Sequence, residues 1–383
     1  MKNRNIYLMY AISLLQGMIF YGPIATLYRQ AQGVSVLQIT VIESISLILC
    51  LLLEFPWGVI ADKIGYKRTI LFCCVLYFLS KIVFWQASGF GGFLLERVML
   101  SVIIAGLSGV DTAFLYLSCK KGESQKVFGI YNSLGTAGLL LASLLFSLFV
   151  GSNYRLAGFL TVISYGLAAF LSLGLTEVKQ EKERVSGSKG LLLPLRQIFK
   201  NKNLLLFLIG IALLNETHQT VTVFLNQLQY EKCGLGSATM GYIYILVTLA
   251  GLCGTWSYRL TRRLGDFRFT AFLYGSAAFA CILLAVTKSP WLSVLGILML
   301  RIVFSLFQPL QTELQNRQIH TENRATALSV NAVIIDSVGA GTNIAFGTLA
   351  EKNLSVAFLS GVGMCILGGI FVLKQIRKTV RRE

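Results

Sequence analysis

The chain has 383 residues, 55% of them hydrophobic and 13% charged, with a mean hydropathy of +0.68. A soluble domain is about 25% charged, and one this apolar would expose more greasy surface than water tolerates, so a globular protein in water is excluded. The net charge of +17 would suit nucleic acid, but the bases sit in alternate connections between apolar runs, which is the topology signal of a membrane protein rather than a nucleic-acid partner.

In chain order, apolar runs long enough to cross a bilayer are expected at 6–28, 38–61, 69–87, 92–117, 127–150, 154–175, 202–228, 239–261, 269–287, 291–316, 325–350 and 354–374. Backbone groups cannot go unpaired in lipid, so these runs are read as helices. The first follows Met1-Lys2-Asn3-Arg4 directly and lacks a small-residue cleavage site, so it is expected to be a retained helix rather than a signal peptide. The N-terminus, the even-numbered connections and the C-terminal tail hold about 26 of the 34 Lys and Arg residues. The odd-numbered connections hold about five: Arg29, Arg155, Lys232, Lys288 and Lys352. This bias places both termini in the cytoplasm of a multi-pass protein of the cell (inner or plasma) membrane.

The connection after the sixth run is the longest. Residues 177–190 are charged and contain Gly and Ser, as in a flexible solvated linker. Residues 191–202 mix apolar and basic side chains around Pro194, either lying along the membrane surface or serving as an ordinary connector. Of the eight cysteines, Cys50, Cys73, Cys74, Cys253, Cys281 and Cys365 fall inside apolar runs, where Cys is a small hydrophobe. Only Cys233 falls in an expected external loop, so no external disulfide is expected, and no Cys/His spacing resembles a metal site. There is no nucleotide-binding glycine loop and no legible nucleophile–base arrangement, so neither ATP-driven transport within the chain nor an enzyme is expected.

Between the second and third runs the sequence reads Gly58-Val-Ile-Ala-Asp-Lys-Ile-Gly-Tyr-Lys-Arg-Thr-Ile70. Asp62 lies inside a basic cluster of Lys63, Lys67 and Arg68, and Gly65 permits a tight reversal. This loop resembles the signature of the major facilitator superfamily of solute transporters through Gly58, Ala61, Asp62, Lys63, Gly65, Lys67 and Arg68. Tyr66 departs from the pattern, which usually has a base there.

The two halves echo each other at an offset of about 200 residues: Lys63–Arg68 against Arg263–Arg268, Arg97-Val-Met-Leu-Ser101 against Arg301-Ile-Val-Phe-Ser305, and Glu123–Lys126 against Glu322–Arg324. Such a duplication is the repeat architecture of many secondary transporters. The expected fold is therefore all-α: twelve transmembrane helices in two pseudo-symmetric bundles, 1–175 and 202–383, joined by a cytoplasmic linker at 176–201. The second copy of the loop is degraded, with Arg262 in place of the acid and Tyr258 in place of the first glycine. Glu54-Phe-Pro-Trp-Gly58, Ser108-Gly-Val-Asp-Thr112 with Tyr116, and Arg324-Ala-Thr-Ala-Leu-Ser329 look like a bacterial efflux-type group within the superfamily.

An ionisable group at bilayer depth costs about 2.5–3.5 kcal/mol on insertion scales, so each such group is a candidate site. Glu216, near the middle of the seventh run, has Asn215, Gln219, Thr222 and Asn226 recurring at helical spacing beside it. This stripe either lines a substrate cavity or provides hydrogen bonds between helices. Asp336 and Glu43 are further proton-coupling candidates, or else fixed ion pairs. Arg301 is a candidate for holding an anionic group or setting the protonation of a nearby acid. Glu96-Arg97 partly resembles the arginine motif of proton-driven exporters, with Leu100-Ser101 where Gln-Gly is usual.

Tyr10, Gln16 and Tyr21 are candidate cavity residues, with cation–π contacts available from the rings. Tyr7 and Tyr28 read as interfacial residues, and Lys81 as a snorkelling lysine. The resemblance implies that Asp62 docks at the start of the eleventh run. Glu54, Asp111, Glu313 and Arg324 lie where they would form gate pairs with loop charges, or are solvated helix ends. The expected function is proton-coupled export of amphipathic compounds or drugs by alternating access, powered by the proton gradient without a bound cofactor and functional as a monomer. The alternatives are proton-coupled import of a metabolite, possibly anionic, and lipid handling. Against export, Gly135-Thr-Ala-Gly138 carries the glycines but not the proline of the antiporter motif on the fifth run.

Overall fold

A computed structural model describes residues 2–120, 123–178, 202–318 and 324–380. Among these, the side chains of residues 2, 3, 55, 58, 59, 62, 324–327, 329, 379 and 380 are not described. Among the described residues, twelve helical spans are long and apolar enough to cross a membrane. They are α1 (Arg4–Ala31), α2 (Val36–Glu54), α3 (Tyr66–Gln86), α4 (Gly89–Ser118), α5 (Ser124–Val150) and α6 (Tyr154–Ser172). The remaining six are α7 (Lys202–Lys232), α8 (Ser237–Leu264), α9 (Asp266–Val286), α10 (Pro290–Arg317), α11 (Val330–Lys352) and α12 (Leu354–Lys378). The helix of α2 continues to Ile64.

Local chemistry explains where these helices begin and end. Ser35 and Gln38 form a reciprocal capping box at the start of α2, satisfying two amides that would otherwise go unpaired. Asn153 caps α6 by accepting from the Leu156 amide at 3.0 Å. Pro290 opens α10, where its missing N–H costs nothing. Gly65 and Gly265, at φ +93° and +78°, reverse the chain before α3 and α9.

The chain divides into two compact units: Met1–Arg184 with Gly236–Ile245, and Val185–Leu235 with Leu246–Glu383. The linker expected at 176–201 falls largely on residues 179–201, outside the described residues. In the first unit α1 packs on α5, α2 on α4, and α3 on both α4 and α6. In the second, α9 and α7 both pack on α12, α9 on α10, and α7 on α11.

Small residues permit the closest approaches, since lipid supplies no hydrophobic drive between helices. A Cβ added to Gly138 would collide with the Leu14 carbonyl of α1, and one on Gly17 with the Gly135 carbonyl. The glycines of Gly135-Thr-Ala-Gly138 are thus a packing surface for α1. In the second unit Gly210 and Gly368 play this part, each leaving a would-be Cβ 2.7–2.8 Å from the other's carbonyl oxygen.

Several spans are broken. The α-helix of α1 stops at Gly17 and resumes at Ala25, after a 3-10 turn containing Pro23. α4 breaks at Gly109, whose φ is +77°. α7 widens into a π-helix over Thr220–Leu225, and α8 tightens into a 3-10 helix over Gly251–Trp256. Such interruptions recur at functional sites of membrane helices.

Three expectations change. α1 runs on to Ala31, which takes Arg29 out of a loop and into a helix end where it is buried. Tyr28 is fully buried, its ring packed with those of Phe84, Phe93 and Tyr154 rather than at an interface. Lys81 is also buried and does not snorkel, because partners for its ammonium lie inside the unit.

Candidate functional site

In the first unit, five ionisable side chains from α1 to α4 meet in a single buried cluster. Glu43 pairs with Arg97 through a short contact to Nη2, and with Arg29 at 3.8 Å. Glu96 faces Lys81 at 3.6 Å and Arg29 at 4.0 Å. Glu96 is 1% exposed, and neither of its oxygens has a hydrogen-bond partner among the described residues, so its compensation is purely coulombic.

The Lys81 ammonium donates to the Tyr21 hydroxyl at 3.0 Å. It also lies 5.2–5.7 Å from the ring centres of Tyr21, Tyr77 and Tyr165, an aromatic cage that stabilises a cation away from water. Arg29 sits over Phe84 in the same way, at 5.8 Å. Three bases against two acids leave one positive charge in excess, which these ring faces help to offset. Of its members, the sequence alone marks Glu43 and Tyr21 as site residues and Arg97 as part of a motif, but not their convergence. The legible signal is that Arg29 and Lys81 lie near the C-terminal ends of α1 and α3 and Glu96 near the N-terminal end of α4, all on the side expected to face out.

Gln16 and Tyr10 are not part of this cluster. Gln16 donates to the Cys74 sulfur at 3.4 Å, and its carbonyl accepts from Tyr165. Tyr10 is half-buried beside Tyr7 and packs against the Met9–Ile12 core.

In the second unit Glu216 is buried and neighbours the π-helical segment of α7. The Thr220 hydroxyl lies 2.9 Å from Glu216 Oε1 and 2.7 Å from Asn343 Oδ1 on α11. A hydroxyl has one proton and cannot donate to both. With Asn343 oriented as it stands, the chain is complete when a protonated Glu216 donates to Thr220 and Thr220 donates to Asn343. With Glu216 ionised, Thr220 turns to the carboxylate, and the Asn343 amide must flip to donate.

Beside this chain, His218 stacks flat on Phe304 of α10, with centroids 3.8 Å apart. The Thr222 hydroxyl donates to the His218 carbonyl at 2.8 Å and lies 3.2 Å from Nε2. Its only proton is therefore used, so Nε2–H donates and Nδ1 is left as an acceptor. His218 Nδ1, Asn215 Oδ1, Gln311 Oε1 and Asn331 Nδ2 have no hydrogen-bond partner among the described residues. Asn215 and His218 share a face of α7, and Gln311 lies two turns from Phe304 on α10. Arg301, one turn before Phe304, packs on Gly251, where a Cβ would come within 3.0 Å of its Nε. The glycine at the 3-10 break thus makes room for the guanidinium.

The polar stripe expected on α7 divides. Thr222 and Asn226 are buried, Asn215 is half-buried and Gln219 is exposed. The intervening π-turn adds a residue to the helical repeat and rotates the rest of the helix by roughly 100°. Asp336 is half-buried on α11.

At the loop, Lys63 and Arg68 are exposed, and the Lys67 amide donates to Glu177 at 3.1 Å. Glu54 is exposed, and Asp111 accepts from the Thr112 amide at 2.6 Å. Glu313 pairs with Arg317 of its own helix, which also holds Asp266 at 2.6 Å. The side chains of Asp62 and Arg324 and the surroundings of Gly58 lie outside the described residues, as does the docking expected of Asp62.

Twelve apolar helices in two units, with charged and polar groups converging inside each, define a multi-pass membrane transporter rather than an enzyme. The Major Facilitator Superfamily profile matches residues 6–343, and the chain belongs to that family of secondary transporters. An uncharacterized MFS-type transporter of Methanocaldococcus jannaschii, MJ1560, is 22% identical over 207 residues, covering 52% of this chain and 53% of that protein. The chain thus spans about half the length of this curated relative.

Among solved structures, the nucleoside transporter NupG has a TM-score of 0.79 at 17% identity, over 97% of this chain and 98% of that one. A bacterial homolog of the human lysosomal transporter Spinster has a TM-score of 0.73 at 15% identity, over 97% and 95%. The POT family transporter PepTSo has a TM-score of 0.74 at 13% identity, over 99% of both chains. At these identities the likeness shows the fold alone.

Proposed function

We propose that the protein is a proton-coupled exporter of amphipathic small molecules, with Glu216 as the carboxylate that carries the coupled proton. The observation that carries this reading is the Glu216–Thr220–Asn343 chain, whose hydrogen bonds change with the protonation of Glu216. A neutral carboxyl is cheap at bilayer depth and a charged one is not, so proton loading lowers the cost of moving this site between the two faces of the membrane. Asp336 on the neighbouring α11 is the second candidate carrier. The first unit's cluster, by contrast, pins its carboxylates with cations, which favours Glu216 over Glu43 as the carrier.

The substrate class rests on the His218–Phe304 stack. An aromatic pair buried inside the unit suits a molecule with an aromatic body. Of the similar structures, one is by name a nucleoside transporter, and a POT family transporter was crystallised with 5-aminolevulinic acid. Small polar or amphipathic solutes are thus within reach of the fold. The proton gradient supplies the energy, no resident cofactor takes part, and a single chain suffices. It works in the cell membrane with both termini in the cytoplasm, as the distribution of bases supports.

A second reading is favoured by one observation: the buried cluster of the first unit has three bases against two acids. That excess favours carriage of a solute with an anionic group, taken up with protons. Reconstitution in liposomes under an imposed pH gradient, with a panel of cationic, neutral and anionic dyes, separates the two readings. Export predicts gradient-driven movement of cationic or neutral amphipaths against the proton flow. Movement of anions alone, together with protons, overturns it in favour of uptake.

A further inference from the structure

The two units are built on the same numbering offset. α3 and α9 begin at Tyr66 and Asp266, and α6 and α12 at Tyr154 and Leu354. Position 177 is thereby the repeat mate of 377, and 67 of 267. In the first unit, Glu177 bends back over the loop. Its carboxylate accepts from the Lys67 amide at 3.1 Å and lies where a Cβ on Gly65 would come within 2.8 Å. It lines a cleft of about 580 Å³ together with Lys63, Lys67 and Arg68. That cleft carries its own anion.

The mate of this cleft in the second unit has a volume of about 500 Å³ and is lined by Phe267, Ile370, Leu373, Lys374, Arg377 and Lys378. Arg377 stands where the first unit has its acid, with its guanidinium carbon 4.6 Å over the Phe267 ring. Among the described residues, three bases line the cleft and no acid does. Asp266, next to Phe267 in the chain, is held by Arg317 at 2.6 Å. Lys378 donates to Asn203 at 2.8 Å, which engages one of its three protons.

One row of α12 residues explains what such a cleft is for. Ile366, Ile370, Lys374 and Lys378 recur every four residues, so they form a single ridge. Its first two members are 55% and 56% exposed. The ridge runs from bare apolar surface into the basic cleft near the helix end. A soluble phosphate would need only the basic end.

We propose that this cleft binds an anionic phospholipid, its phosphate between Lys374 and Arg377 and an acyl chain along Ile370 and Ile366. The first unit's cleft, which holds the Glu177 carboxylate among its bases, does not take one. The electrostatic attraction of a base near an anionic surface corresponds to about fivefold in binding for each base.

The test is native mass spectrometry of the full-length protein in micelles doped with phosphatidylglycerol or phosphatidylethanolamine. The expected result is preferential retention of phosphatidylglycerol. Lys374→Gln and Arg377→Gln should each reduce it about fivefold, while Arg377→Lys, which keeps the charge, retains most of it. Glu177→Gln, which removes the anion from the first unit's cleft, should leave the Lys374- and Arg377-dependent retention in place and admit a second phosphatidylglycerol. Equal retention of the two lipids, or unchanged retention in both Gln variants, overturns the proposal. Displacement of the lipid by glycerol phosphate at matching concentration overturns it too, because the apolar ridge would then contribute nothing. Melting curves of each variant establish that folded protein is compared, and Lys374→Gln alone decides if Arg377→Gln does not fold.

Discussion

The two units bury carboxylates in opposite ways. In the first, Glu43 and Glu96 lie among three bases, Arg29, Lys81 and Arg97. In the second, Glu216 touches a hydroxyl that can serve either protonation state, and through it a side-chain amide that can turn over. The first arrangement pairs its acids with cations, while the second joins its acid to neutral polar groups. On the proposed reading the repeats have diverged in role, one unit holding an electrostatic frame and the other the coupled proton. The helix ends differ too, with Glu177 in one cleft where its repeat mate Arg377 stands in the other.

The strongest way to break this comparison is to remove an acid from the first unit. Glu96→Gln leaves Lys81 and Arg29 with less compensation in a site that is 1% exposed. Breaking a buried pair costs about 3–5 kcal/mol, so the melting temperature in detergent should fall sharply. Little change would show that the cluster is not the frame described.

Lys81→Met goes the other way in charge, leaving two bases against two acids. It should destabilise less than Glu96→Gln, and the order of the two melting temperatures is the readout. The reverse order would mean that the aromatic cage, rather than charge balance, governs the cluster.

A smaller effect is expected in the second unit. Thr220→Val keeps the shape of the side chain but removes the hydroxyl between Glu216 and Asn343. Leaving a buried polar group without its partner costs about 1–3 kcal/mol. The pH profile of transport should shift with it, and Thr220→Ser should restore both. An unchanged profile would sever Thr220 from the proton step.

Much of the fold is legible in the sequence because lipid leaves so few choices. Runs of about 20 apolar residues must be helices, and the echo of Lys63–Arg68 in Arg263–Arg268 exposes the duplication. The loop motif points to the family before any contact is known. Side-chain partnerships are less legible, for physical reasons. Arg29 looks like a loop base because an apolar pattern does not mark a helix end to within a turn. Lys81 looks like a snorkelling residue because its partners, Glu96 and three tyrosines, are far away in sequence. The polar stripe on α7 is projected with a regular helical period, and the π-turn at Thr220–Leu225 breaks that period. Glu216 itself is legible, as an acid in the middle of an apolar run must have a reason to be there.

The central claim is that Glu216 carries the coupled proton, and one variant in one assay tests it most directly. Glu216→Gln should be reconstituted in liposomes, and both gradient-driven transport and substrate exchange without a gradient should be measured. A carboxamide mimics the loaded, neutral carboxyl, so exchange should persist at near wild-type rate while the pH gradient no longer drives net transport. Gradient-driven transport at the wild-type rate in Glu216→Gln would contradict the account and move the proton to another carboxylate.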